Sequence, residues 1–182
     1  LSAADKIYDG TVSAVLGGTA ALLALSAAGA GDSDDGKAYE GDDIGVSQSS
    51  ATATFGDKNV GSGKTVSFSD LSLSGTNASN YSLSEHADAT ATITAKALSV
   101  SGLSTANKIY DGTVSAVLVG TAGLLELSAV GAGSSDDGKA YEGDDIGVSQ
   151  SSATAAFGDK NVGSGKAVSF SGLSLSGEDA NN

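Results

Sequence analysis

The chain has 182 residues, a formal net charge of −13, and no Cys, Met, Trp or Pro. Its 9 basic residues are all Lys, too few and too dispersed for a nucleic-acid or anionic membrane surface. Disulfides and thiolate metal sites are excluded, and large apolar residues are so sparse that any core must be thin, as suits β-sandwich domains of about 100 residues.

In chain order, Lys6-Ile7-Tyr8 reads as a short strand closed by the turn signal Asp9-Gly10. Val12–Leu16 reads as strand. Thr19–Ala28, rich in Ala and Leu and followed by Gly29, favours one short surface helix. Ile44-Gly45-Val46 is a short strand. Ala51–Phe55 alternates apolar and polar residues, which marks a half-buried strand. Gly61-Ser62-Gly63-Lys64 lacks the full spacing of a phosphate loop and reads as a hairpin turn. Val66–Phe68 and Leu71–Leu73 each alternate, but the parity slips between them. One extra residue at Asp70 predicts a bulge or a bend between sheets. Asn77–Leu83 has the pattern of a tyrosine corner, and Ala89–Ala95 alternates strictly, with Ala and Ile expected inward and Thr outward. Ile7, Val15, Ile44, Val46, Phe55, Val66, Phe68, Leu73, Tyr81 and Ile93 form the expected core. No apolar run approaches the ~18 residues of a membrane span.

The whole pattern then repeats. Asp5–Leu16 returns at Asn107–Leu118, Gly36–Thr52 at Gly138–Thr154, and Phe55–Lys64 at Phe157–Lys166. The offset is about 102 residues, and roughly five in six aligned positions are identical. Two domains are expected, 1–102 and 103–182; the second lacks a counterpart of Tyr81–Gly102. The chain reads as an excerpt from a longer array. The link Ala97–Ser104 reads as a strand running almost directly into the next copy. About seven short strands per copy argue for an all-β fold of tandem immunoglobulin-like β-sandwich repeats. The alternative is a β-grasp with one short helix per repeat.

The ordered blocks Lys6-Ile7-Tyr8-Asp9-Gly10-Thr11, Gly41-Asp42-Asp43-Ile44, Phe55–Lys64, Leu71–Gly75 and Asn80-Tyr81-Ser82-Leu83 resemble the YDG-type repeat. Such repeats occur in large bacterial secreted proteins, including filamentous-haemagglutinin-like adhesins and biofilm-matrix proteins. The resemblance implies an extracellular protein of the bacterial cell surface or matrix, serving as an extended stalk or adhesive fibre and not as an enzyme. Its expected partners are neighbouring repeats of the same chain, identical chains in a fibre, and a glycan or matrix polymer. In the rival reading each repeat itself binds a glycan or matrix polymer and acts by multivalency. Gly17–Lys37 is longer and richer in Ala and Leu than the family pattern.

The candidate sites are modest. No cofactor is expected apart from Ca²⁺, whose hard oxygen ligands would be Asp34, Asp35, Asp42 and Asp43 in the first copy and Asp136, Asp137, Asp144 and Asp145 in the second. The spacing does not match an EF-hand, and solvated acidic loops explain the same residues. Asp32 is replaced by Ser134 in the second copy, which would weaken a site that used it. His86 stands alone, without Cys or a second His, and is expected in an exposed turn. Tyr8 and Tyr39 could present aromatic faces to sugars or anchor turns against the core.

Overall fold

The structure, a computed structural model, describes residues 1–29, 35–84 and 86–182. The described residues are nearly all β or irregular; the exception is a single 3₁₀ turn at Ala78–Asn80. The chain forms two compact units. Unit 1 comprises Leu1–Lys6 and Thr11–Thr94; unit 2 comprises Ile7–Gly10 and Ala95–Asn182.

In unit 1 the strands are β1 (Ser2–Ala3), β2 (Lys6–Ile7), β3 (Ser13–Ala14), β4 (Leu16–Gly17), β5 (Gly45–Ser47), β6 (Thr52–Phe55), β7 (Gly61–Ser69), β8 (Ser72–Ser74) and β9 (Ala89–Thr94). Five of them make one sheet in the order β2-β9-β7-β6-β3, while β1 pairs with β4 and β5 with β8. The core sits on one face of the five-stranded sheet, where period-2 alternation puts it. Ala53 and Phe55 of β6, Val66 and Phe68 of β7, and Ala91 and Ile93 of β9 are buried. Register sets Phe55 opposite Val66, and Val66 opposite Ala89. Each such large side chain contributes roughly 1.5–3 kcal/mol by leaving water, so a handful of residues carries the unit.

The parity slip lies where the sequence places it. Asp70 has φ 61°, and Gly172 at the same place in the second copy has φ 74°. The kink ends β7 and sends the chain into β8, which belongs to the β5–β8 sheet instead. A Cβ at Gly172 would lie 2.2 Å from the Ser152 carbonyl oxygen, so glycine suits the kink there.

Unit 2 contains β10 (Val100–Thr105), β11 (Ser115–Ala116), β12 (Leu118–Leu124), β13 (Gly147–Ser149), β14 (Thr154–Phe157), β15 (Val168–Ser171) and β16 (Ser174–Ser176). They pair as β10-β12, β11-β14-β15 and β13-β16. Of the linking segment Ala97–Ser104, Ala97–Ser99 is irregular and the residues from Val100 are strand, zipped antiparallel to β12. Gly102 sits at a register shift beside the Leu103–Gly120 pair, and added Cβ atoms at Gly102 and Gly120 would lie 2.3 and 2.1 Å from the Thr121 and Gly102 carbonyl oxygens.

Several expectations are corrected. Thr19–Ala28 forms no helix; Ser26 makes a parallel bridge to Tyr39 instead. The equivalent chain in the second copy extends as β12 through Leu124. Ala and Leu favour helix only weakly, and edge pairing outweighs that preference. The β-grasp alternative, which needs that helix, falls with it. Gly61–Lys64 is not a hairpin turn; it opens β7 with a register shift against β9. Ile7 and Val15 are 41% and 70% exposed, not core. Val15 lies between β3 and β4, which pair in different sheets, and its backbone carbonyl is held by the Ala4 N–H while its side chain points outward. Ile44, Val46, Leu73 and Tyr81 are half-buried.

Candidate functional site

The Lys-Ile-Tyr-Asp-Gly-Thr block is a clamp built from one lysine and one turn. In the second copy the Lys108 ammonium donates to the Asp111 carboxylate at 2.8 Å, the Thr113 carbonyl at 2.8 Å and the Ser115 carbonyl at 2.9 Å. The Asp111 carboxylate also accepts from the Thr113 N–H and hydroxyl, both at 2.9 Å. Lys108 donation and these Thr113 bonds hold Asp111 down to about 2. Gly112 takes φ 81°, which a side chain resists. In the first copy Lys6 donates in the same way to the Thr11 and Ser13 carbonyls, at 2.8 and 2.9 Å.

The tyrosine of the first block is spent differently. Tyr8 is 3% exposed inside unit 2. Its hydroxyl donates to Asp144 at 2.7 Å and its ring meets Tyr141 edge-on, centroids 5.9 Å apart. The Asp9 carbonyl accepts from Gly131 N–H at 2.9 Å. A Cβ at Gly10 would fall 2.7 Å from the Val130 side chain, so only glycine passes there. Beneath Tyr8 lies a cavity of about 70 Å³ lined by Leu98, Ile146 and Leu175.

Unit 1 repeats this latch with another tyrosine. The Tyr81 hydroxyl donates to Asp42 at 2.5 Å and accepts from the Tyr39 N–H at 3.0 Å. Donation to Asp42 raises the Tyr81 phenol above its ordinary value. Asp42 and Asp144 are the same position of the repeat. The partners of Tyr81 lie about 40 residues upstream, not within a few residues, so this is not a tyrosine corner.

Lys96 completes unit 2. Its side chain is buried, its ammonium stands 2.9 Å from Asp137 and lies 4.2 Å from the centre of the Tyr141 ring. Burial opposes the charge, but Asp137 and Tyr141 together outweigh it and raise the Lys96 pKa. Asp137 is lowered chiefly by Lys96, then by the Lys139 N–H. The Lys96–Asp137 approach is within ion-pair distance but outside hydrogen-bond geometry.

The acidic positions chosen from sequence are dispersed over such ties. Asp35 accepts from the Ser26 hydroxyl and the Lys37 N–H. Asp43 accepts from the Thr76 N–H and hydroxyl at 2.9 and 3.0 Å, which lowers its pKa. Asp145 accepts from the Glu178 N–H at 3.2 Å. Asp136 accepts from the Ser135 hydroxyl at 3.3 Å. Asp32 and Asp34 lie outside the described residues. Among the described residues no three His, Asp or Glu side chains group so as to hold a metal. His86 is half-buried with its ring edge-on to Phe68, centroids 5.2 Å apart. Tyr8 is buried with its hydroxyl on Asp144, not an open platform, whereas Tyr39 is half-buried and its backbone N–H donates to the Tyr81 hydroxyl.

Sequence reasoning missed the Tyr8–Asp144 and Lys96–Asp137 partnerships. The one available signal for Lys96 was a lone cation in an otherwise small and apolar stretch, Ala95–Leu98.

No curated protein and no solved structure matches the chain. A family model, the YDG domain, matches it twice, over residues 1–91 and 94–182. The chain therefore belongs to the YDG domain family, in two consecutive copies.

Proposed function

We propose that this chain is a structural and adhesive repeat module of a large secreted bacterial surface or matrix protein, with immunoglobulin-like sandwich units strung into an extended stalk or fibre. The observation that carries the reading is the tandem of two nearly identical YDG domains. Duplication without divergence suits a part whose task is length or valency, not a unique catalytic centre. The clamps and latches add support, because they spend the ionisable side chains of the repeat on holding turns. The net charge of −13 favours mutual repulsion of chains and solubility outside the cell.

The test is to prepare arrays of two, four and six repeats and measure them by small-angle scattering. The stalk reading expects the maximum dimension to grow in proportion to repeat number. A compact, constant-density particle refutes it. A pull-down on bacterial glycans and matrix polymers with the same series addresses adhesion. Gains of about 10²-fold or more from two to six repeats would identify each repeat as a weak binding module.

A further inference from the structure

We infer that the outer edge of β3, and of β11 in the second copy, is a pairing surface for the same edge of another copy of this chain, and that Lys6 and Lys108 guard it. β3 is an end strand of the five-stranded sheet, and β11 is an end strand of the three-stranded sheet in unit 2. Each is laddered on one side only, β3 to β6 and β11 to β14.

The phase of the ladder fixes what the free side presents. The Phe55 N–H donates to the Val12 carbonyl at 2.8 Å, so Val12 and Phe55 form a hydrogen-bonded pair. Such pairs alternate along an antiparallel ladder. Ser13, opposite Thr54, therefore turns its own N–H and carbonyl away from β6, and Thr11 and Val15 do the same. The Val15 carbonyl is taken by the Ala4 N–H at 3.1 Å. The other two outward carbonyls are taken by one side chain: the Lys6 ammonium donates to Thr11 and Ser13 at 2.8 and 2.9 Å. The second copy is built alike. The Phe157 N–H donates to the Val114 carbonyl at 2.8 Å, and the Ala106 N–H to the Val117 carbonyl at 3.2 Å. The Lys108 ammonium donates to the Thr113 and Ser115 carbonyls at 2.8 and 2.9 Å. The arrangement recurs in different surroundings, since Lys6 lies on β2 whereas Lys108 lies outside any strand.

A backbone edge with free carbonyls and apolar side chains beside it recruits another strand, and a lysine on the edge prevents this. The apolar side chains are present: Val15 is 70% exposed and Val117 is 65% exposed. Lys6 acts in two ways. It consumes the acceptors that an incoming N–H needs, and an identical edge would bring a second ammonium against the first. Its ammonium also stands 5.3 Å from the centre of the Phe55 ring, which helps to hold it in place. The need for such a guard is greatest where near-identical repeats are produced together, because every open edge then meets its own complement. The inference does not depend on the stalk reading; it needs only the clamps and the edges they cover.

The experiment compares the full chain with its Lys6→Met, Lys108→Met and doubly substituted forms by light scattering, over a concentration series reaching about 100 µM. Met keeps an apolar stem and removes the donors and the charge. The unsubstituted chain is expected to hold a constant mass. Each single variant should double its mass, because one open edge closes on its twin about a two-fold axis. The double variant should form longer chains, because two open edges per molecule propagate. Adding Ser13→Pro to Lys6→Met, or Ser115→Pro to Lys108→Met, removes an outward N–H and should restore the original mass. Hydrogen exchange at Val66 and Phe68 reports whether unit 1 remains folded. Should Lys6→Met lose that protection, Lys108→Met and its Ser115→Pro partner decide, since they leave unit 1 untouched. Three results overturn the inference: folded Met variants that keep the original mass throughout, association that survives the Pro substitutions, or an unsubstituted chain that associates as strongly as the double variant.

Discussion

Phe55→Ala should damage unit 1 several-fold more than Phe157→Ala damages unit 2, although the two residues hold the same place in the repeat. Phe55 is 2% exposed, sealed by Val66 and Ile93. Truncating such a ring costs ~3–5 kcal/mol, because transfer energy is lost and a cavity remains. Phe157 is half-buried at the base of an open groove. There water already reaches the ring and fills the space it leaves, so about half that cost is expected, roughly 1.5–2.5 kcal/mol. Native-state hydrogen exchange reads each unit separately, since Thr65 and Ala167 give the equivalent peptides different masses. With tenfold per 1.4 kcal/mol, exchange in β7 should accelerate by about 10²- to several thousandfold in Phe55→Ala. In β15 it should accelerate by about ten- to fiftyfold in Phe157→Ala. Equal acceleration in the two strands would refute the claim that β9 sets the environment of Phe55.

Tyr8→Phe removes the donor to Asp144 and leaves that carboxylate without its phenol, a loss of about 1–2 kcal/mol; exchange should quicken in unit 2 and stay unchanged in unit 1, and the reverse pattern would show that Tyr8 belongs functionally with unit 1. Asp111 has a folded pKa of about 2, below the ordinary carboxylate range, so its contribution is present above about pH 4 and is lost as pH falls toward 2. A melting series from pH 5 to pH 2 should therefore show a shallower acid decline for Asp111→Asn, and an unaltered slope would remove the clamp from the account; the pair is solvent-exposed, so added salt should shrink the difference. Calcium binding by the acidic loops is tested by melting with and without chelator: a lower midpoint on chelation, larger for the first copy with Asp32 than for the second with Ser134, is the expected outcome of bound calcium, and superimposable curves would dismiss it.

Features governed by neighbours along the chain were legible in the sequence. The repeat itself, the all-β character, the burial of alternate residues in Thr52–Phe55 and Ala89–Thr94, and the kink at Asp70 and Gly172 follow from period-2 geometry and turn chemistry, which act over a few residues. The tertiary structure decided the rest. Thr19–Ala28 has helix-favouring residues, yet Ser26 bridges to Tyr39 and the Ala20 N–H donates to the Gln48 side chain instead of to a helical neighbour. Asp144 takes its phenol from Tyr8, which lies 136 residues away, while Asp42 takes one from Tyr81; no local pattern distinguishes the two tyrosines. Nearly identical sequence also meets different surroundings, so Phe55 is sealed and Phe157 is open, Tyr8 is buried and Tyr110 is 57% exposed. Burial is a property of what packs against a residue, and that is fixed by contacts whose partners are far apart in the chain.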